Sequence, residues 1–321
     1  MLSANYVVKR VMFALVTIFV SVTLNFFLFR VMKGSPIANF ARVPNASPAL
    51  QHELTVQFGL DKPMFEQYML YLRNLAHGNL GVSFAYRQPV SGLLLGDLRN
   101  TLYLVTAGTV LSIVLGTAAG VLSAWRRGSL ADHASSGAAM LAYALPAQWL
   151  GLVLLILFVG VLPSAGMADP FIIGSETFWQ HLSDVGQHMI LPTATLTLTG
   201  YGSYMLVVRS SMLATLGEDY VLTARAKGLP PWRIVLRHAA RNAMLPMVTQ
   251  VALDIGYIVG GSILIEVLFS WPGIGDAVFT AIGQRDYPML QGGFLMLTVA
   301  VILMNLLADL VYYKLDPRVT T

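Results

Sequence analysis

Six long stretches of the chain carry almost no charge, and they constrain the fold more than any other feature. A bilayer core about 30 Å thick requires about 20 predominantly apolar residues for each helical span. Lipid offers the backbone no hydrogen-bond partners, so a span must satisfy its own backbone as a helix. The sequence therefore predicts an all-α integral membrane protein with six transmembrane helices. The windows are Val11–Phe29, Asn100–Trp125, Ala134–Ala168, Val185–Val208, Asn242–Ile265 and Tyr287–Ala308.

Composition and two prolines refine this prediction. Apolar residues make up 56% of the 321 positions, charged residues only 11%, and the mean hydropathy is +0.66, whereas an average soluble domain has about 25% charged residues. Asp254 is the one Asp, Glu, Lys or Arg inside the six windows. The third window is longer than one span, and Pro146 and Pro163 predict where it is interrupted or ends. We place the third span near 138–162.

The basic residues predict the orientation. Six spans put both termini on one side, and short loops rich in Lys and Arg mark the cytoplasm. An arrangement with both termini inside places most Lys and Arg in the cytoplasm, and the first window is too long for a secretory signal. We expect one transmembrane domain over 1–321, with an extracytoplasmic loop at about 31–98 and a cytoplasmic loop at about 213–243. Within the outer loop, residues 63–75 show helical spacing, which favours a surface helix packed on the bundle over a direct ligand contact.

Several classes of protein are disfavoured. The chain has no cysteine, and its six histidines include no closely spaced pair, so we expect no disulfide, no metal site and no catalytic residue. A phosphate-binding loop of the form Gly-x-x-x-x-Gly-Lys-Ser/Thr is absent from the sequence, so ATP has no site in this chain. The pI of about 9.3 reflects basic residues beside the spans, where anionic head groups explain them better than nucleic acid.

One basic segment interrupts the apolar pattern. The stretch "DYVLTARAKGLPPWRIVLRHAARNAMLP" holds five of the twenty Lys and Arg. Tyr220–Lys227 is compatible with a helix, Gly228 with the pair Pro230-Pro231 breaks it, and Pro231 suits the first turn of a second helix. The preference for basic residues on the cytoplasmic side explains the charge of this segment, but it does not explain the break between the two helices. A helix presented beyond the membrane suits a groove of another protein, and the stripe of Arg233, Arg237 and Arg241 requires an acidic partner.

These residues resemble a known family, the membrane-spanning permease subunits of ABC importers of the peptide and nickel class. The resemblance covers nearly the whole chain and is closest to the first of the two permeases in such systems. Its coupling loop begins Leu222-Thr223-Ala224 instead of Glu-Ala-Ala, as in the peptide subgroup, while "KGSP" after the first span and Asp254 in the fifth depart from the pattern. The matching motifs are "RSSMLATLGEDYVLTARAKGLP", "RHAARNAMLP", "ALPAQWLGL", "FSWPGIGDAVFTAI", "RDYPMLQG", "LDPRV", "GLDKP" and "GNLGVSF".

The resemblance implies a fold, a location and a set of partners. We expect a type I ABC importer permease fold in the cytoplasmic (inner) membrane, without a cofactor of its own. The partners are a second homologous permease, two ATP-binding subunits that carry ATP and Mg, and an extracytoplasmic substrate-binding protein. The cargo is expected to be short peptides, with nickel chelates, glutathione and oligosaccharides as alternatives.

Two sets of site residues are predicted, a coupling set implied by this resemblance and a pathway set based on the acidic residues of the fifth span. In the coupling set, Ala224 permits close approach of an ATPase, Arg225 and Lys227 pair with carboxylates of its cleft, and Gly228 permits the turn. In the translocation pathway, Asp254 contacts a substrate amine or cation, or is a hydrogen-bonded carboxyl between helices, and Glu266 lies at the outer end of the same span in contact with solvent. The coupling set is Tyr220, Thr223, Ala224, Arg225, Ala226, Lys227, Gly228 and Pro230.

A transporter of another class stays open as an alternative. A proton- or sodium-coupled secondary transporter needs ionisable residues in several spans and often shows repeat symmetry. Asp254 is the one residue in the six windows that meets the first condition, and no internal repeat stands out. An ATP-driven importer is therefore preferred, with the ion-coupled mechanism centred on Asp254 as the less favoured prediction.

Overall fold

The computed structural model describes residues 4–31, 61–170 and 177–315, together with the single residues 48, 52 and 56. In these ranges the chain is helical, apart from turns, a π-helical turn over Ile234–Ala239 and an isolated β-bridge between Val82 and Pro89. The helices are α1 (Ala4–Val31), α2 (Met64–Ala76), α3 (Val90–Trp125), α4 (Leu130–Ala144), α5 (Ala147–Phe158), α6 (Phe178–Leu216), α7 (Asp219–Ala226), α8 (Pro231–Arg233), α9 (Ala240–Ala243), α10 (Leu245–Gly261), α11 (Ile263–Leu268), α12 (Ile274–Gln284) and α13 (Tyr287–Leu315).

Three of these helices are long and apolar enough to cross a membrane. They are α1, α3 and α13, whose candidate spans are Asn5–Arg30, Val90–Trp125 and Tyr287–Val311. They include the first, second and sixth windows, and α3 begins ten residues before the second window does. The fourth window lies in α6, and the fifth runs from α9 through α10 into α11; neither α6 nor α10 passes the same test of length and hydropathy. Six spans with both termini inside therefore stay a prediction.

The third window forms a bent pair of helices. Helices α4 and α5 meet at an angle of 111° across the break at Leu145 and Pro146, and they reach span length only when taken together. The predicted interruption at Pro146 is confirmed, and the span near 138–162 stays a prediction, because these helices reach span length only as a bent pair. Pro146 has no backbone N–H to continue the helix, and its ring disfavours α-helical geometry at the preceding residue. Leu145 is accordingly extended.

The chain divides into two compact units. One contains Leu102–Trp271 and residues 304–315, and the other contains Ala4–Thr101 and Pro272–Leu303. In the first unit, glycines allow α3 to pack closely on α6, as small residues do between membrane helices. A Cβ atom added at Gly116 would lie 2.7 Å from the Cβ of Tyr204, and one at Gly120 would lie 2.8 Å from the Cβ of Val208.

The bent pair also packs on α6 within the first unit. The Ser135 hydroxyl of α4 lies 3.0 Å from the Tyr201 hydroxyl of α6. Further along α6, Leu191 forms a buried apolar cluster with Ile265 and Phe269 and with side chains of α5. Helix α6 thus contacts α3, α4 and α5 along its 39 residues, which makes it the central element of this unit.

In the second unit, the outer-loop helix α2 packs on the end of α1. Phe26 is fully buried between the rings of Tyr68 and Tyr71, with centroid distances of 5.2 and 5.4 Å. The Tyr68 hydroxyl lies 2.7 Å from that of Thr23, and burial raises the pKa of Tyr71 to about 12. The predicted surface helix therefore lies on the bundle. The "KGSP" segment lies outside the described residues, as does most of "LDPRV".

Two of the motifs behind the family resemblance meet in this unit. Asp286, from "RDYPMLQG", is buried and accepts hydrogen bonds from the Ser83 hydroxyl and the Ala85 amide of "GNLGVSF" and the residues after it. Its other oxygen accepts from the Met289 amide at 3.2 Å, which caps the start of α13. One carboxylate therefore joins the outer loop to the last long helix.

Candidate functional site

The basic segment folds as a helical hairpin, here called the coupling hairpin and comprising residues 219–243. Helix α7 ends in a turn in which the Gly228 amide donates to the Arg225 carbonyl at 2.9 Å. Gly228 has φ of 74°, a left-handed conformation that costs an L-residue about 1–2 kcal/mol. Pro230 is extended and Pro231 occupies the first helical position of α8. The predicted helix, turn and helix are confirmed, within one residue at each end of α7.

The hairpin has its own small core. Val221, Ala224 and Ile234 are buried against one another, with Leu216 and Leu229 around them. Ala224 is only 5% exposed, so its small side chain allows α7 to approach the π-helical turn. The close neighbour of Ala224 in this structure is the chain itself, and its predicted role in the approach of an ATPase stays a prediction.

The outer face of the hairpin is polar and largely cationic. The side chains of Thr223, Arg225, Ala226 and Lys227 are exposed, and the Thr223 hydroxyl donates to the Asp219 carbonyl at 3.0 Å. Beside it lies a cavity of about 570 Å³ whose lining includes Arg225 and the ends of α3 and α6. The face is therefore open to a partner with acidic groups. The exposed stripe Arg233, Arg237 and Arg241 extends the same charge.

Tyr220 has a different role from its neighbours in the coupling set. Its hydroxyl accepts a hydrogen bond from Nδ2 of Asn242 at 2.9 Å and lies 3.5 Å from the His238 carbonyl. The residue is 40% exposed, so it joins the two arms of the hairpin and still presents part of its ring outward.

A π-helical turn, which no pattern in the sequence indicated, anchors the hairpin to the bundle. Over Ile234–Ala239 the helix is wider than an α-helix, a feature frequent at functional sites. Val235 and Ala239 are buried against Val208 and Met212 of α6. The sequence contains the apolar residues at these positions, but the spacing of four between Arg233, Arg237 and Arg241 predicted a regular α-helix.

A buried ion pair joins α6 to α4 at Arg209, which lies between Val208 and Met212 in the chain. Asp132 of α4 accepts two hydrogen bonds from Arg209, from Nε at 2.7 Å and from Nη2 at 3.0 Å. The Ser123 hydroxyl of α3 and the Gly128 amide also donate to this carboxylate. The guanidinium and the carboxylate meet in the planar two-bond arrangement that is strongest for this pair. In the sequence, Arg209 stands out only as the first residue of the motif "RSSMLATLGEDYVLTARAKGLP".

The two predicted pathway residues lie in different surroundings. Asp254 is half-buried near the middle of α10, where its carboxylate accepts from the Tyr204 hydroxyl at 2.7 Å and from Nε2 of Gln250 at 2.9 Å. Glu266 is fully buried, and the Ser262 hydroxyl donates to its Oε1 at 2.8 Å. The expected contact of Glu266 with solvent is therefore wrong: the helix is interrupted at Ser262, and the carboxylate bonds to that residue.

Comparison with known proteins gives the class. The family profile described as "Binding-protein-dependent transport system inner membrane component" matches residues 113–321, and an N-terminal membrane-component profile of such systems matches residues 1–105. The chain therefore belongs to this family of multi-pass inner-membrane permeases of ABC importers, as its motifs predicted. The family consists of transporter permease subunits, which have no catalytic activity themselves. Membership generally implies assembly with another permease, with ATPases and with a binding protein.

Three relatives illustrate the breadth of similarity. The chain is 36% identical to the dipeptide transport system permease protein DppB of Escherichia coli K12 and 36% identical to the di/tripeptide transport system permease protein DppB of Pseudomonas aeruginosa UCBPP-PA14. It is 34% identical to the glutathione transport system permease protein GsiC of Escherichia coli O6:H1. Each alignment covers 98% of both chains.

Proposed function

We propose that this chain is the channel-forming subunit of an ATP-driven importer for short peptides, which an external binding protein delivers. The full-length similarity to two permeases named for dipeptide and di/tripeptide transport supports this cargo. A second permease completes the channel, and two ATP-binding subunits carry the ATP and Mg. The observation on which the proposal depends most is the exposed cationic face of the coupling hairpin.

The ATPases dock on that face. Arg225 in the last turn of α7 and Lys227 directly after it are exposed, and they pair with carboxylates of an ATPase cleft, while Thr223 and Ala226 fill the contact between them. Gly228 and Pro230 fix the angle at which α7 projects. Ala224 supports the contact from within, because it holds α7 against the rest of the hairpin.

Movement of the ATPases then reaches the bundle through α6. The hairpin packs on Val208 and Met212, Arg209 lies between these positions in the chain and binds Asp132 of α4, and Tyr204, one turn earlier, binds Asp254 of α10. A shift of the hairpin is therefore transmitted to several helices at once. ATPase closure biases a two-state equilibrium between inward-open and outward-open arrangements, and Asp254 lines the pathway between them.

Glutathione is a second candidate cargo, because one full-length relative is named as a glutathione permease. Glutathione is itself a small peptide with a free amine, so both cargoes agree with the same permease chemistry. Competition between labelled glutathione and unlabelled di- and tripeptides for uptake separates the two cargoes. An excess of peptide that leaves glutathione uptake unchanged would favour the glutathione importer.

Uptake in vesicles tests the proposal. Membrane vesicles carrying this chain with its partner subunits are expected to take up a mixed peptide pool only when ATP is supplied to the ATPases, and a Gly228→Arg variant is expected to lose this uptake. Gly78→Arg is the matched control, because Gly78 also has positive φ and open space at its Cβ, but lies in the outer loop. Uptake driven by an ion gradient without ATPases would overturn the proposal, as would full activity of Gly228→Arg.

A further inference from the structure

The carboxylate of Asp254 has unused hydrogen-bonding capacity. A carboxylate offers about four lone-pair positions, and two donors occupy this one, with Tyr204 on Oδ2 and Gln250 on Oδ1. Both donors are neutral, so neither cancels the charge of an ionised carboxylate. Among the described residues, no Lys, Arg or His nitrogen pairs with Asp254. The site is therefore the carboxylate of Asp254, held in place by two neutral donors.

Asp254 is partly accessible. The residue remains half-buried with both bonds formed, whereas Tyr204 beside it is only 2% exposed. A charge facing hydrocarbon near the middle of a span costs at least about 3 kcal/mol. We therefore expect the exposed part of Asp254 to face a polar space rather than lipid.

The neighbouring helix α6 is polar for a helix of its length, and it is not apolar enough to pass as a lipid-facing span. Near Tyr204 it carries the half-buried hydroxyls of Thr199 and Ser203, which donate to backbone carbonyls of the same helix. Such a helix suits polar surroundings better than lipid.

From these observations we propose that Asp254 binds the primary ammonium group of the cargo, with Tyr204 and Gln250 as positioning residues that fix the carboxylate. The inference rests on the proposed importer function and specifies one chemical group of its cargo. An ammonium group has three donors and no acceptor, so it can use the two lone-pair positions that the neutral donors leave. The pairing offsets the cost of a charged amine and of a carboxylate within the membrane.

A metal ion fits this position less well. Calcium takes six to eight oxygen ligands, and magnesium requires a nearly ideal octahedron. No group of three or more His, Cys, Asp or Glu side chains that could hold a metal occurs in the parts of the chain that the structure describes. A single carboxylate with two amide or phenol donors matches an ammonium group instead.

Transport by matched variants tests the inference. The complete importer in proteoliposomes is supplied with ATP and saturating binding protein, with radiolabelled trialanine as the probe. Asp254→Asn keeps the size and the acceptor oxygen but removes the charge, so the maximal uptake rate is expected to fall about tenfold or more, as for a lost charged hydrogen bond. Asp254→Glu restores the charge and is expected to recover part of the rate, and Tyr204→Phe is expected to lose less than Asp254→Asn.

The outcomes separate the two proposals. If wild type shows no ATP-dependent uptake of trialanine, the importer function itself fails. If wild type transports and Asp254→Asn does so at the same rate, the amine site fails alone. An equal loss in Asp254→Asn, Asp254→Glu and Tyr204→Phe would also overturn the amine site, because it would mean that the carboxylate only ties two helices together.

A covalent trap provides a readout that a purely structural role would not produce. A membrane-permeant carbodiimide activates carboxyl groups, and an amine held against Asp254 then forms an amide while the carbodiimide takes up water as its urea. In the importer without binding protein, trialanine is expected to attach to the peptide containing Asp254, as mass spectrometry would detect. N-acetyltrialanine lacks the amine and is expected to give no adduct. Adducts spread evenly over exposed carboxylates, with none at Asp254, would contradict the proposal.

Discussion

At the scale of single residues, Asp132 holds three parts of the chain at one point. Its carboxylate binds the Arg209 guanidinium of α6, the Ser123 hydroxyl of α3 and the Gly128 amide of the turn between α3 and α4. Asp132 is 2% exposed, whereas the Arg209 side chain is 27% exposed. Loss of the arginine would leave a buried carboxylate without its cation, which costs more than the pair contributes as a whole.

A double-mutant cycle measures this interaction. We expect Arg209→Gln to destabilise the purified protein by about 1–3 kcal/mol, because the buried carboxylate loses its charged partner. Asp132→Asn combined with Arg209→Gln should cost less than the sum of the two single changes, with a coupling energy of about 0.5–3 kcal/mol. Thermal unfolding in detergent provides the measurement. Strict additivity of the two changes would show that the pair contributes nothing.

Residue-level signals explain which features could be predicted from the sequence. Gly228, Pro230 and Pro231 determine the coupling turn through local backbone preferences, so its position followed from the sequence. The pairing of Asp132 with Arg209 joins residues 77 positions apart, and nothing local indicates it. The burial of Glu266 depends on the helix break at Ser262, which hydrophobic spacing within one continuous window does not reveal.

At the scale of elements, the close approach of α3 and α6 depends on glycine. The Cβ atom of an alanine at position 116 would lie 2.7 Å from the Cβ of Tyr204 and 3.0 Å from the Tyr201 carbonyl oxygen. Real Cβ contacts are not this short, and a helix backbone cannot move aside as a flexible side chain can. The two helices would have to separate.

Matched glycine substitutions test this packing. We expect Gly116→Ala to destabilise the protein by about 1–3 kcal/mol through overpacking. Gly96→Ala, in the same helix but with no atom within 4 Å of its Cβ, is expected to be neutral or stabilising by up to about 1 kcal/mol through helix propensity. Denaturation midpoints of both variants decide the point, and equal effects at the two positions would contradict the packing argument.

The hairpin core allows a similar test at the same scale. Ala224 is buried while Ala226 is exposed on the same helix, so leucine at the two positions has different consequences. Ala224→Leu is expected to force α7 away from Ile234 at a cost of about 1–3 kcal/mol. Ala226→Leu leaves the hairpin intact. Limited proteolysis between residues 217 and 230 should therefore accelerate in Ala224→Leu alone; similar cleavage rates would mean that α7 is not held by this core.

At the scale of the whole molecule, the long apolar helices bury little of their surface within the chain. Only 22% of the most apolar window of α1 and 17% of that of α13 is buried. The remaining apolar surface is available to lipid and to the second permease. The coupling hairpin instead exposes charged side chains. They lie beyond the apolar windows, where they are available to a partner in water.

Charge reversal on the coupling hairpin tests its role in assembly with the ATPases. Reversal of two exposed charges by Arg225→Glu and Lys227→Glu is expected to weaken ATPase docking about tenfold or more, because like charges then face each other across the interface. The wild-type interaction should also weaken with added salt, which screens exposed charges beyond about 10 Å at 0.1 M. Arg73→Glu with Arg99→Glu is the matched control, since both side chains are exposed and lie outside the hairpin. Copurification of the ATPases with each variant at two salt concentrations provides the measurement. Docking that falls equally in both double variants would mean that net charge, rather than the hairpin, controls assembly.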